Sequence, residues 1–165
     1  MAAWDFIIKL SPQQWLDAGG GVDTLLSSAA WETWKTGNVE SIARRIGSIL
    51  PLVKSNPLGE WSELAWGDRD EDDTENGIQL LVENGRIRSL GARWDLRRPN
   101  VAMFGQVVDV AKDLRLALFD VARKHVVPAD VNALLWAAAT ARGAWHWKER
   151  SSFLRNAGRG NGPAA

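Results

Sequence analysis

The sequence predicts an α+β domain, an antiparallel-rich sheet with helices packed mainly on one face. Three observations lead there. Asn84-Gly85, set between two strand-like arms, is the dipeptide of a two-residue type I′ hairpin and so an antiparallel signal. Apolar residues recur at helical spacing through 22–50, the next forty residues read as sheet, and helical spacing returns after Pro99. The 165 residues, 45% of them hydrophobic, supply one core and hardly two.

Trp4–Leu10 mixes aromatic and β-branched residues and reads as a strand. Ser11-Pro12 is then expected as N-cap and first helical position of a short helix through Gln13–Asp17, stopped by Gly19–Gly21. Val22, Leu25, Leu26 and Ala29, with Trp31 and Trp34 beside them, predict a helix to Lys35, which Gly37 closes. Asn38 caps the next helix, where Val39, Ile42, Ile46 and Ile49 form one stripe before Pro51. Residues 51–59 are loop-like. Trp61–Trp66 is a strand, and 67–76 a polar connection to the hairpin arms Gly77–Glu83 and Arg86–Arg97.

A two-residue turn sets Glu83 opposite Arg86, Val82 opposite Ile87 and Leu80 opposite Ser89. The second arm changes phase: Ile87 is apolar at an odd position, whereas Ala92, Trp94 and Leu96 are apolar at even ones. A one-residue bulge near Ser89–Gly91 reconciles the two. Pro99 ends the arm, Asn100 caps a broadly apolar helix to about Leu114, and Leu116–Val121 is an interior strand. Pro128 opens a last helix built on Val131, Leu134, Leu135 and Ala138 and extending past Trp145 and Trp147. One domain over 1–155 and a mobile tail over 156–165 complete the expected organisation.

Composition narrows the chemistry. Twenty Lys and Arg balance twenty Asp and Glu, which disfavours a protein that coats nucleic acid by neutralising phosphates. With no Cys there are no disulfides, thiol nucleophiles or thiolate metal sites, and with no Tyr another acid/base group is missing. The first ten residues lack the basic start and apolar length of a signal peptide, and no run approaches the length of a membrane span. A soluble, cytoplasmic protein with no membrane contact is the expectation.

Neutrality conceals segregation. Eight acids against one base lie between Glu60 and Glu75. Asp68-x-Asp70-x-Asp72 opens like a calcium loop, but Asp73 stands where such a loop needs Gly, and Gln79 where it needs Glu. No metal or cofactor is therefore expected. The segment reads as a solvated connection or as a contact surface for a basic partner, with Trp66, Asp68, Asp70, Glu71, Asp72, Asp73 and Glu75 as candidate partner-binding residues.

Arg86, Arg88, Arg93, Arg97 and Arg98 cluster next, and alternation places Arg93, Asp95 and Arg97 on one strand face. A surface ladder is one reading. Oxyanion binding by Arg93 and Arg97 with His125 around one pocket is the other. His125 and His146 belong to no pattern with an acid and a nucleophile, so no catalytic residue is assigned. Ten tryptophans divide into Trp4, Trp94 and Trp136, expected in the core, and Trp15, Trp31, Trp34, Trp61, Trp66, Trp145 and Trp147, expected partly buried.

From Trp66 to about Leu154 the chain resembles small uncharacterised bacterial proteins associated with polymorphic toxin systems. The resemblance lies in Trp66-Gly67-Asp68, Asn84-Gly85-Arg86-Ile87, Arg93-Trp94-Asp95-Leu96-Arg97, Phe104, Ala117-Leu118-Phe119-Asp120, Pro128 and Phe153-Leu154. Such proteins look like immunity proteins, and the resemblance implies a chain that neutralises a toxin domain by binding it. The expectation is a non-catalytic protein-binding module, monomeric or weakly self-associating, using the acidic segment, exposed tryptophans or both. An enzyme with an arginine-lined oxyanion pocket and a structural or assembly subunit are the alternatives.

Overall fold

The computed structural model describes residues 5–21, 24, 28–32, 34, 38–58, 60–69, 75–144, 147–148 and 150–151. Along them run β1 (Asp5–Pro12), α1 (Gln13–Asp17), α2 (Ser28–Glu32), α3 (Val39–Gly47), β2 (Leu52–Leu58), β3 (Trp61–Arg69) and β4 (Glu75–Glu83). There follow β5 (Arg86–Asp95), α4 (Val101–Asp113), β6 (Leu116–Asp120), β7 (His125–Val127) and α5 (Val131–Ala139). The seven strands form one antiparallel sheet in the order β2-β3-β4-β5-β1-β6-β7, so the chain has the α+β fold that its sequence predicts.

Alternation sorts the sheet into two faces. Phe6, Ile8 and Leu10 of β1, Ile78, Leu80 and Val82 of β4, and Leu90, Ala92 and Trp94 of β5 share one buried cluster with side chains of α2–α5. Ile42 and Ile46 enter it from α3, Phe104 and Val107 from α4, and Leu134 and Ala138 from α5. At its centre Trp94 stacks on Phe104, with ring centroids 4.4 Å apart and planes 10° from parallel. The opposite face carries Ile7, Lys9, Gln79, Gly91 and Arg93, none of which belongs to that cluster.

The hairpin turns at Asn84 and Gly85, both at positive φ as a type I′ turn requires. Glu83 faces Arg86 and Val82 faces Ile87 as expected, but the next pair is Leu81 with Ser89. Arg88 is therefore the extra residue of a β-bulge, one position before the expected Ser89–Gly91 stretch. Leu80 consequently faces Leu90, not Ser89. The bulge converts odd-inward into even-inward residues, which lets Ile87, Leu90, Ala92 and Trp94 all reach the core.

The elements depart from the sequence reading at defined places. The short helix forms over Gln13–Asp17 as expected, but Ser11 belongs to β1 with Pro12, pairing with Ala117 and Leu116, and Pro12 is the N-cap rather than the first helical residue. Beyond Leu10, β1 no longer pairs with β5, so Pro12 lies where one side of the strand is an edge and leaves no ladder bond unmade there. Loop-like 51–59 contains β2, an outer strand whose composition shows little alternation. β3 continues to Arg69, into the stretch expected as a polar connection. Asp130, not Pro128, caps α5 by accepting from Ala133 N at 3.0 Å, and this helix ends at Ala139 rather than passing Trp147. Asn38 and Asn100 cap α3 and α4 as expected, each accepting from the backbone N–H three residues on. The expected helix from Val22 is described only over Ser28–Glu32, and the tail 156–165 lies outside the described residues.

Candidate functional site

The described residues include only part of the acidic segment. Asp70, Glu71, Asp72 and Asp73 lie outside the described residues, and Glu75 is placed only as the first residue of β4. Asp68 is exposed and accepts from the Asn100 side chain. Asn100 N in turn donates to Asn76 Oδ1 at 3.2 Å, and Asn76 Nδ2 donates to Arg98 O at 3.1 Å. Asp68 thus joins a polar latch between the β3–β4 end of the sheet and the start of α4.

Trp66 cannot contact a partner. Its place in β3 puts it on the core face opposite Ile78, under the end of α3, and it is 3% exposed. A side chain at Gly47 would begin 3.6 Å from its indole nitrogen. Trp31, Trp34 and Trp147, expected partly buried, are also core residues, and Trp31 packs edge-on against Trp34. Trp136 is the reverse case. Expected inside, it is 51% exposed, because one residue in each turn of α5 must face outward while Leu134, Leu135 and Ala137–Ala139 fill the core side.

Arg93, Arg97 and His125 do not converge. Arg93 lies on the open sheet face and donates from Nε and Nη2 to Asp5 Oδ1 at 3.1 and 3.0 Å. Arg97 folds back on Asp95 beyond the end of β5. His125 opens β7 at the far edge and lines a different cavity. The ladder reading is partly realised: Asp95 holds Arg97, while Arg93 takes its carboxylate from β1 instead. Among the described residues no three His, Cys, Asp or Glu side chains gather as a metal site.

Two of the concavities among the described residues bear on what the molecule could meet. One, of about 630 Å³, lies between β7 and α5 and is bordered by Arg123, His125, Pro128, Trp136 and Thr140. Val126 on β7 is 36% exposed beside it. Arg123 is fixed there, donating to Ala137 O at 3.0 Å and to Thr140 Oγ1 at 2.8 Å.

The other, of about 440 Å³, is cut into the open sheet face. Lys9, Gln79, Gly91 and Arg93 border it, along with Ile7, Val53 and Val121. At one end Lys54 pairs with Glu63 at 2.5 Å, and Gln79 donates to the same carboxylate. Hydrogen bonds from Lys54 and then Gln79 hold the Glu63 pKa below its ordinary value. Sequence reasoning missed both Lys9 and Trp136. The odd-numbered position of Lys9 in an alternating strand was a usable signal, but its surroundings come from residues far along the chain. No family model, curated protein or solved structure matches this chain.

Proposed function

We propose that the chain is a non-catalytic protein-binding module of the immunity type, which occludes a bacterial toxin domain through the surface between α5 and β7. The observation that carries this reading is Trp136, a large ring 51% exposed at the rim of a cavity of about 630 Å³. Tryptophan buries much area at little entropic cost and is enriched where binding energy concentrates. Support comes also from β7, which ends the strand order of the described residues, so that its outer backbone edge suits an added strand. Arg123 and His125 border the cavity, exposed Lys124 lies between them in the chain, and Asp130 on the same rim caps α5, so an extended segment carrying acids and one large apolar side chain suits the surface.

Co-expression with the product of the adjacent gene tests the reading. The expected result is a co-purifying complex and relief of toxicity, both weakened by Trp136→Ala. Absence of a complex together with unrelieved toxicity overturns it. A stable homo-oligomer by light scattering, without a heterologous complex, would favour an assembly subunit instead.

A further inference from the structure

The open sheet face has a centre that ordinary surface electrostatics does not explain. Lys9 stands in β1 with Gly91 as its register partner on β5 and Phe119 as its partner on β6. Because Gly91 has no side chain, the lysine lies down over it. A Cβ there would sit 3.1 Å from Lys9 Cδ and 3.3 Å from Nζ. On the other side Phe119 is 2% exposed. The ammonium is thus held part-buried over the central strands, with Nζ donating to Ser89 Oγ at 2.6 Å.

The other charged side chains that border the groove each have a partner, Asp68 in the neutral Asn100 side chain. Lys54 pairs with Glu63, and Arg93 with Asp5. No carboxylate among the described residues lies within ion-pairing distance of Lys9. A cation withdrawn from water normally acquires a counter-charge, since desolvation otherwise opposes its ionisation. Burial accordingly pulls the Lys9 pKa below its ordinary 10.5. The missing anion can come from outside, because the groove of about 440 Å³ opens over this position.

We propose that this groove binds a small monocarboxylate with an apolar body, its carboxylate seated on Lys9 Nζ and the Ser89 hydroxyl. Ser89 Oγ accepts from the ammonium and keeps its own proton to donate, so adjacent donors are available for the two carboxylate oxygens. One ammonium without a carboxylate suits a monoanion, and a phosphate dianion would carry excess charge toward Glu63 and Asp68. Ile7, Val53 and Val121 provide the apolar wall for the remainder of the ligand. This site is independent of the α5–β7 surface, and its failure leaves the protein-binding reading untouched.

The test titrates the full chain with hexanoate, hexanol and inorganic phosphate by calorimetry. Hexanoate should bind saturably and at least about tenfold more tightly than hexanol, the difference expected of a hydrogen-bonded charge. Lys9→Met should abolish that preference while leaving hexanol binding unchanged. Equal affinity for acid and alcohol overturns the proposal, as does a preference that survives Lys9→Met, tighter binding of phosphate, or no saturable hexanoate binding. Should Lys9→Met fail to fold, acetylation of the unaltered protein by acetic anhydride, followed by mass spectrometry, decides. Hexanoate but not hexanol should protect Lys9, and equal labelling with and without hexanoate refutes the site.

Discussion

Arg97 folds back onto Asp95, two residues earlier, donating its backbone N–H to Oδ1 at 2.9 Å and its guanidinium to both carboxylate oxygens. The contact pins the chain where β5 leaves the sheet, and the Asp95 side chain is 1% exposed. Burial by itself raises the Asp95 pKa. Side-chain and backbone hydrogen bonds from Arg97, with the charges of Arg97 and Arg93, outweigh it and hold the group below its ordinary 3.8. A carboxylate depressed in the folded state contributes stability that is complete above its unfolded pKa and disappears as pH falls through the folded one. Asp95→Asn should therefore cost about 1–3 kcal/mol at neutral pH. Urea denaturation across an acid series should show the gap closing below about 3.8. A gap that stays constant through that range would assign the effect to shape rather than charge.

That clamp was half legible in the sequence, and the reason is general to this fold. Alternation along β5 identifies Arg93, Asp95 and Arg97 as polar companions, because the period of a strand is local. It cannot say that Arg93 will find Asp5, since that pairing rests on β1 lying beside β5. The hairpin, both asparagine caps and the phase change in β5 are likewise local signals, and they locate the corresponding elements to within a few residues. β2 has no such signal: an outer strand containing Pro57 and Asn56 has a loop's composition, and only its pairing with β3 gives it a conformation. Trp66 and Trp136 were misplaced because neighbouring polar or apolar residues do not tell which side of a strand or helix meets the core. Lys9 was invisible as a site for the same reason, its surroundings being Gly91 and Phe119.

Arg88 is present to correct the phase of β5. Ile87 faces Val82 and Ser89 faces Leu81, so removing Arg88 joins two correctly registered segments into one regular strand. Deleting Arg88 should preserve the fold, with a loss of about 1 kcal/mol or less, since the Glu83 ion pair it makes is part-exposed. Deleting Arg93 instead would turn Trp94 from the core toward the open face and should abolish cooperative unfolding. Thermal melts followed by circular dichroism compare the two. Equal damage from both deletions would mean that the bulge is needed for more than register.

Asn100 caps α4 through Met103 N at 3.2 Å and also donates to Asp68. Asn100→Ala should cost about 1–2 kcal/mol. Asn100→Asp retains a good capping oxygen but sets a second carboxylate against Asp68. It should be at least as destabilising as alanine at neutral pH and should recover on acidification. The like charges raise the folded pKa of the pair, so stability is lost as pH rises through it. Denaturation of both variants at neutral and acid pH checks this. An aspartate variant as stable as the native chain at neutral pH would show that the Asp68 contact contributes nothing.

Trp94 and Trp136 place the same side chain in opposite settings. Trp94 is fully buried and stacked on Phe104 at 4.4 Å, so Trp94→Ala should cost about 3–5 kcal/mol through lost burial and a cavity in the core. Trp136 is 51% exposed on α5, and Trp136→Ala should leave stability within about 0.5 kcal/mol, as surface substitutions do. Its effect is expected in binding instead, where loss of an aromatic anchor weakens a complex by about 2 kcal/mol or more, roughly thirtyfold. Urea denaturation measures the first quantity and titration with the co-purified partner the second. If Trp136→Ala destabilised the chain as severely as Trp94→Ala, the ring would be a structural support of α5, and the surface it borders would lose its claim as the docking site.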